Sequence, residues 1–410
     1  MNRGPERVLL TTSTFPMSAT DATSARFVLD LAQHLSAHAK VFVLAPAGPT
    51  TAPREVWGDV TVLRFRYFAP AGLQRLAAGE GMVATMRASS FAKLQAPFFV
   101  ASQWAQLPRI VRNERIDFLN PHWIVPQGLT AAFWADQLKL PSVVTAHGAD
   151  VAWLDRSRVG RRVARYVFNR SAGLIADSQA LATRTEEILG RAIPHAAIPM
   201  GVSTGVFQPG ERPAALSAAP GERTILFVGK FVPKKGISVL LDALHQLRTV
   251  GQRVRLVLIG GGPLEAEIRA QIAQLALEAH VELLGWVRNH ELPSYYAAAD
   301  VVCVPSVQDA HGETEGTPVV LQEAMSCGAI LVGSRSSGIA DVLRDGHNGW
   351  SVPPADAPAL AAAIRNALAM PDSARAAMRD AARVTASGHS WPRVAERFYE
   401  FFREALQRTR

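Results

Sequence analysis

Two lysines follow an apolar run at a position where they could bind a phosphate group. The run 224–228 ends at Gly229, and Lys230 and Lys235 follow before a helical pattern begins. At such a junction, backbone N–H groups and the start of the helix favour anions, and the lysine ammonium groups add positive charge. The segment indicates a diphosphate site, and an ordinary lysine-rich surface loop is the alternative.

Two glutamates further along the chain could bind the hydroxyl groups of a sugar. Glu315 and Glu323 are separated by seven residues, and Pro318 suits the first turn of a helix. Glu315 should therefore lie in the loop before that helix and Glu323 one to two turns along it. A carboxylate can accept both hydroxyls of a ribose or a hexose, and free N–H groups at the helix start can hold phosphate. Two solvated surface glutamates are the alternative, which the apolar neighbours of Glu323 disfavour.

Apolar runs and helical patterns alternate along the whole chain, which is typical of a parallel sheet covered by helices. In the first half, strands are predicted over 7–13, 40–45, 117–120, 142–146 and 174–176, and helices over 25–37, 127–137 and 180–189. In the second half, strands are predicted over 224–228, 255–259, 281–284, 301–304 and 329–332, each followed by a helix. We therefore expect an α/β fold with two Rossmann-like domains facing each other across a cleft.

The length of 410 residues also favours two domains, because a single hydrophobic core rarely grows beyond about 250–300 residues. Residues 208–222 are rich in Pro, Gly, Ala and Ser and predict a linker between domains 1–207 and 223–390. Residues 391–410 predict an aromatic-rich helix. This helix suits packing across to the N-terminal domain, and a terminal core helix is the alternative.

The motifs of residues 221–352 together resemble the C-terminal domain of retaining GT-B glycosyltransferases, a large family that includes bacterial envelope mannosyl-, glucosyl- and galactosyltransferases. The resemblance rests on the segments 229–236, 258–263, 315–328 and 345–349. It implies a nucleotide-sugar domain here and an acceptor domain in the first half. It also implies the transfer of a hexose, with retention of anomeric configuration, to a glycan or lipid-linked acceptor in cell-envelope polysaccharide or glycolipid synthesis.

The resemblance implies a role for each motif residue. Lys230 and Lys235 would neutralise the donor diphosphate, although the first position is more often arginine in the family. Glu315 would hold the transferred sugar, and Glu323 would hold the ribose. The remaining donor-binding candidates are Gly229, Val287, Gly316, Thr317, Pro318 and Val319.

A histidine in the first half is a further candidate catalytic residue, beside Glu315, Lys230 and Lys235. The segment His147-Gly-Ala-Asp150 resembles one in which the family places a histidine at a strand end, beside the donor sugar. A hydrogen-bonded core histidine is the alternative. No Asp-x-Asp pair occurs in the chain, so we expect no metal site and no required cofactor. The donor is expected to be a UDP- or GDP-sugar.

The charge of the chain bears on its partners. Residues 1–200 hold 22 Lys and Arg against 14 Asp and Glu, which accounts for the whole net charge of +8. Arg156, Arg158, Arg161, Arg162, Arg165 and Arg170 form a basic amphipathic pattern. It suits either a solvated helix, which we favour, or a helix on an anionic membrane. The stretch 82–111 is a second amphipathic, aromatic-rich segment that could border the acceptor site. No nucleic-acid partner is expected, because the basic half contains no recognised nucleic-acid-binding module.

The two cysteines and the short apolar runs bear on the localisation of the protein. Cys303 and Cys327 form no metal or redox motif, and no long apolar run occurs, so a cytoplasmic protein is predicted, with a peripheral position at the inner face of the membrane as the alternative. Two other functions are alternatives to a transferase. A non-catalytic nucleotide-sugar binding protein would bind the donor without turnover. A GT-B nucleotide-sugar epimerase shares the fold, but would not supply the segment of Glu315 and Glu323.

Overall fold

The chain divides into two compact units, as seen in a computed structural model. The structure describes residues 4–19, 21, 26–77, 82, 85–86, 89–156, 158–211, 213, 216, 219, 221–310, 312, 314–336 and 338–409. The N unit comprises Met1–Met200 with Trp391–Arg410, and the C unit comprises Gly201–Ser390. Phe207, which directly precedes the predicted linker, and Leu216, which lies within it, are buried in a core of the C unit. Residues 212, 214, 215, 217, 218 and 220 of the predicted linker and parts of the stretch 82–111 lie outside the described residues.

The N unit is built on parallel strands. They are β1 (Arg7–Thr11), β2 (Lys40–Pro46), β3 (Arg54–Trp57), β4 (Val60–Phe65), β5 (Phe118–Pro121), β6 (Val143–Ala146), β7 (Gly173–Ala176) and β8 (His195–Ala197). They form the orders β3-β4-β2-β1-β5 and β6-β7-β8, and only the β3–β4 pair is antiparallel. Single bridges from Leu119 to Ser142 and from His122 to Thr145 connect β5 with β6. The strands read as continuous apolar runs because both faces of the sheet are covered.

Helices cover the faces of this sheet. They are α1 (Phe27–Leu35), α2 (Ser90–Asn113), α3 (Leu129–Leu138), α4 (Ala149–Asp155), α5 (Arg158–Phe168) and α6 (Gln179–Leu189). A short π-type turn, Ile124–Gly128, precedes α3. Helix α6 begins where Ser178 caps it by accepting the N–H of Leu181, and it ends at Gly190, whose φ is +70°.

The C unit repeats the same construction. Its strands are β9 (Arg223–Val228), β10 (Val254–Ile259), β11 (Val281–Gly285), β12 (Val301–Val304), β13 (Leu331–Ser334) and β14 (Trp350–Val352), all parallel, in the order β11-β10-β9-β12-β13-β14. Its helices are α7 (Ile237–Thr249), α8 (Glu265–Gln274), α9 (Leu292–Ala298), α10 (Val319–Ser326), α11 (Ile339–Val342), α12 (Ala357–Leu368) and α13 (Asp372–Gly388). The strand order reverses between β9 and β12, and α/β sheets bind ligands at the carboxyl ends of such a pair.

The last helix, α14 (Trp391–Thr409), returns to the N unit. Trp391, Phe398 and Phe402 are buried in the same core as Val8 and Leu10 of β1. Each such side chain contributes about 2 kcal/mol when it is removed from water.

The α/β fold class with two Rossmann-like units is confirmed by this architecture. The predicted strands occur, with ends shifted by a residue or two, as where the run 329–332 becomes Leu331–Ser334. The pair β3 and β4 was not predicted, because Arg64 interrupts the apolar pattern of β4. Its guanidinium is buried, donates to the carbonyls of Pro16 and Pro46, and lies over the rings of Phe15 and Trp57.

Candidate active site

The loop after β9 places two lysines at the switch point of the C-unit sheet. The chain leaves β9 at Gly229, forms a short 3-10 turn at Pro233–Lys235, and enters α7 after Gly236. The N–H of Val307, which follows β12, donates to the carbonyl of Lys234 at 2.9 Å. The loops after β9 and β12 therefore contact each other, where the strand order predicts a ligand site.

Gly236 is required at this contact, and its replacement gives a testable result. Its φ is +68°, and a Cβ there would lie 1.9 Å from the carbonyl oxygen of Pro305. Gly251 has a similar φ of +79° with no atom within 4 Å of a built Cβ. We expect Gly236→Ala to lower the free energy of unfolding by at least about 2 kcal/mol, and Gly251→Ala by about 1 kcal/mol. Urea unfolding of both variants measures the difference, and equal losses would contradict the steric explanation.

Glu315 is held between two lysines. Its Oε2 accepts from Lys235 Nζ at 2.8 Å, and its Oε1 lies 3.2 Å from Lys234 Nζ. Burial opposes ionisation of this carboxyl group, but the charges of Lys235 and Lys234 outweigh it and lower the pKa of Glu315 to about 2. Glu315 is therefore a carboxylate at neutral pH, fixed in orientation and able to accept hydroxyl donors.

Glu323 lies in a different environment, on α10 behind the same loop. Tyr296 of α9 donates its hydroxyl to Glu323 Oε2 at 2.9 Å. Burial raises the pKa of Glu323 to about 7, although the hydrogen bond from Tyr296 and the charge of Lys235 both lower it. Lys235 therefore acts electrostatically on both glutamates. The two carboxyl groups differ in charge near neutral pH, since Glu315 is ionised and Glu323 titrates there.

The backbone between the two glutamates begins helix α10. Pro318 caps the helix with extended backbone, so the first helical residue is Val319 rather than Pro318. Thr317 donates its hydroxyl to the carbonyl of Gly338 at 3.3 Å, and Gly316 precedes it in the same loop. This contact fixes the loop in front of the helix start, where unpaired N–H groups favour an anion.

A glycine segment after β10 lies beside the same loop. The carbonyl of Gly229 would be 1.9 Å from a Cβ on Gly260, and the N–H of Phe231 donates to the carbonyl of Gly261 at 2.9 Å. The indole Nε1 of Trp286 lies 3.0 Å from the position of a Cβ on Gly261, with the half-buried Val287 next to it. An exposed indole above backbone that lacks side chains can hold a planar ring.

His147 lies in the N unit, directly after β6, with both ring nitrogens engaged. Its Nδ1 is 2.9 Å from Asp177 Oδ2, and its Nε2 is 3.0 Å from His122 Nδ1. Burial lowers the pKa of His147, but the charge and hydrogen bond of Asp177 outweigh it, so the pKa is raised. The geometry therefore matches the hydrogen-bonded histidine that was the alternative, while a role at the donor sugar stays a prediction.

Two neighbours fix the surroundings of His147. Burial, with the charge of His147, lowers the pKa of His122 well below its usual value. The Nε2 of His122 is buried and has no hydrogen-bond partner among the described residues. Asp150 accepts the N–H groups of Ile124, His147 and Gly148, which pins the turn that carries the histidine. Because the pKa of His147 is raised and that of His122 is lowered, a proton shared by these two rings resides on His147.

The structure brings Lys235, Glu315 and Glu323 together within the C unit. It places Gly229, Gly316, Thr317 and Pro318 in the adjoining loops and Val319 at the start of α10. Lys230 is half-buried in the same loop as Lys235, but the ion pairs of Glu315 are with Lys234 and Lys235. Three further residues contact the predicted ones and were not predicted: Lys234, Tyr296 and Asp177. Of these, Lys234 had a signal, because it lies within the quoted lysine segment. No group of His, Cys, Asp and Glu suited to a metal ion occurs in the part of the chain that the structure describes.

Two family models match the chain, one in each half. The model described as Glycosyltransferase Family 4 matches residues 24–206, and that described as Glycosyl transferases group 1 matches residues 211–385. The second match contains the lysine and glutamate site, and the first contains His147.

Solved structures show the same fold. Sucrose-phosphate synthase from Thermosynechococcus elongatus is 20% identical, with a TM-score of 0.77 over 98% of this chain and 100% of that one. Anabaena HepE, solved in complex with UDP and glucose, is 20% identical, with a TM-score of 0.68 over 96% and 98% of the two chains.

Curated relatives are similar at the level of sequence. The putative colanic acid biosynthesis glycosyltransferase WcaL of Escherichia coli is 40% identical over 162 residues, which cover 40% of this chain and only 39% of WcaL. The phosphatidyl-myo-inositol mannosyltransferase of Mycobacterium leprae is 30% identical over 347 residues, which cover 82% of this chain and 81% of the relative. The chain belongs to the GT-B glycosyltransferases, with a family 4-like first half and a group 1 second half.

Proposed function

We propose that this protein transfers a hexose from a UDP- or GDP-sugar to a hydroxyl of a glycan or lipid-linked acceptor, in cell-envelope polysaccharide or glycolipid synthesis. The observation that carries the proposal is the cluster of Lys235, Glu315 and Glu323 at the switch point of the C-unit sheet. The name of WcaL, a putative colanic acid biosynthesis glycosyltransferase, supports a polysaccharide product. HepE was solved with UDP and glucose, which supports a UDP-sugar as the donor.

The donor is proposed to bind with its charged and hydroxyl groups matched to the site. Lys230 and Lys235 neutralise the diphosphate, with the N–H groups at the start of α10. Glu315, a carboxylate with its pKa near 2, accepts hydroxyls of the sugar. Glu323 accepts the ribose hydroxyls, and Trp286 and Val287 lie along the base. No step in this scheme requires a metal ion, because the lysines and the helix start supply the positive charge.

The reaction is proposed to retain the anomeric configuration. The acceptor oxygen forms its bond to the anomeric carbon on the face that the nucleotide leaves, while the bond from that carbon to the phosphate oxygen breaks. The acceptor proton passes to the departing phosphate, and Lys230 and Lys235 stabilise the charge that develops there. His147, whose pKa is raised by the charge and hydrogen bond of Asp177 against the effect of burial, is proposed as the contribution of the N unit to sugar binding.

Donor screening tests the proposal. UDP-, GDP- and ADP-sugars are compared first by thermal stabilisation and then by turnover with envelope glycolipid acceptors. We expect one donor to stabilise the protein and to give a product whose anomeric proton, read by NMR, keeps the donor configuration. An inverted product would reject retention. Stabilisation without turnover on any acceptor would favour a nucleotide-sugar binding protein, and a changed donor sugar without acceptor would favour an epimerase.

A further inference from the structure

Helix α2 exposes a continuous apolar stripe on the surface of the N unit. Phe91, Leu94, Phe98 and Trp104 follow one another along its outer face, with Leu94 60% and Phe98 51% exposed. At 1.5 Å per residue, this stripe is about 20 Å long. Isolated apolar side chains are normal on a surface, but a contiguous apolar stripe marks an interaction surface.

The inner face of the same helix is more polar than a core face should be. Gln95 and Gln103 are fully buried beside Phe99, while Phe91, Phe98 and Trp104 are exposed. Gln95 has a structural role, because its side chain donates to the carbonyl of Leu73 and accepts the N–H groups of Arg75 and Leu76. A helix whose outer face meets water carries polar side chains there, and α2 instead exposes several of its largest apolar side chains, so its outer face suits an apolar environment.

Aromatic clusters stand at both ends of the stripe. Near its start, the ring of Phe68 lies 5.6 Å from Phe91 and 5.7 Å from Phe98. Near its end, the ring of Trp104 lies 5.0 Å from that of Trp134 of α3. The indole N–H of Trp134 donates to the carbonyl of Trp104, so these rings are fixed rather than free. Tryptophan is enriched at membrane interfaces because its ring is amphipathic.

The segment that carries the stripe has an excess of basic residues. Residues 65–113 contain six Lys and Arg, and Glu80 is their one acidic residue. Arg66, Arg75, Lys93, Arg109 and Arg112 are exposed. Apolar side chains flanked by cations are complementary to a bilayer that contains anionic lipids, since each cation near such a surface adds attraction and the apolar groups enter the headgroup boundary.

We propose that the α2 surface, defined by Phe68, Phe91, Leu94, Phe98, Trp104, Phe133 and Trp134, docks the protein on an anionic lipid bilayer. The basic helix α5 is a weaker candidate, because several of its arginines are used within the protein. Arg161 pairs with Asp155, and Arg165 donates to the carbonyl of Leu189. No helix within the described residues is long and apolar enough to cross a bilayer, so α2 would lie in the interface.

Vesicle sedimentation tests this surface without donor or acceptor, so its outcome is independent of the proposed transferase activity. The full-length protein is mixed with sucrose-loaded vesicles of phosphatidylcholine, with or without phosphatidylglycerol. We expect the protein to sediment with the anionic vesicles and less so at high salt. The variant Leu94→Gln/Phe98→Gln/Trp104→Gln should reduce the partition coefficient about tenfold or more.

A matched variant removes exposed apolar side chains elsewhere. Val56→Gln/Val250→Gln/Val384→Gln should bind vesicles as the wild type does, and circular dichroism melts verify that both variants fold. The proposal is overturned if the α2 variant sediments normally, or if both variants lose binding equally. It is also overturned if only Arg158→Glu/Arg162→Glu on α5 loses binding. A change of oligomeric state in the α2 variant, with vesicle binding intact, would identify a protein interface instead.

Discussion

Lys235→Ala is expected to lower kcat by about a hundredfold to a thousandfold, the range found when one fixed donor to a developing anion is removed. Lys235 is placed to act on the diphosphate and also contacts Glu315 at 2.8 Å. Its loss removes positive charge from the leaving group and leaves the carboxylate of Glu315 with only Lys234 as an ion-pair partner. Steady-state kinetics with the donor identified by screening measure the effect.

The adjacent lysine is the matched control for this substitution. Lys234 also pairs with Glu315, but its side chain is more exposed, 31% against 15% for Lys235. Exposed ion pairs contribute little because water screens them. Lys234→Ala should therefore reduce kcat by about tenfold or less. Similar losses for the two variants would show that Lys235 holds Glu315 rather than acting on the leaving group.

Glu323→Gln is expected to stabilise the protein at neutral and alkaline pH while it weakens donor binding. The pKa of Glu323 is raised from 4.5 to about 7 in the folded protein. The folded state thus binds the proton more tightly than the unfolded state, and wild-type stability falls as the pH rises through this interval. The full difference in pKa between the folded and unfolded states corresponds to about 3 kcal/mol in the free energy of unfolding. Glutamine keeps the hydrogen bond from Tyr296 without burying a charge.

Urea unfolding at several pH values measures this effect. The variant should be more stable than the wild type by about 2–3 kcal/mol at about pH 8, and the difference should vanish below about pH 5. Glu267→Gln, on the exposed face of α8, should show no such pH dependence. Binding of the donor should weaken in Glu323→Gln, because an amide offers one acceptor oxygen where a carboxylate offers two. Unchanged turnover in Glu323→Ala would remove Glu323 from the proposed donor site.

The positions of the site residues were predictable where local sequence determines local structure. Gly229 at a strand end and Pro318 before a helix indicate where Lys235 and Glu315 must lie, and the strand order brings the two loops together. Partners from distant elements were not predictable. Tyr296 reaches Glu323 from α9, and Asp177 reaches His147 from the end of β7, so both contacts depend on how helices and strands pack.

The fold was predictable for similar reasons. Strands buried on both faces are apolar throughout, as in β9 and β10, and their pattern is visible in the sequence. Strand β4 was hidden because Arg64 is buried in it, where desolvation lowers the pKa of the guanidinium to about 10. The free-energy cost of burying this guanidinium is offset by its contacts with two backbone carbonyls and two aromatic rings, which only the folded chain brings together.

The return of α14 to the N unit has a consequence for the order of folding during synthesis. The ends of the C unit lie side by side, since the N–H of Val202 donates to the carbonyl of His389 at 3.0 Å. The C unit is thus an insertion with adjacent ends, and it can complete its own core as soon as residue 390 has been made. The N unit, although translated first, lacks Trp391, Phe398 and Phe402 until the ribosome has passed the whole insertion. Until then, part of one face of the N-unit sheet has only α1 to cover it, without the contacts of α14.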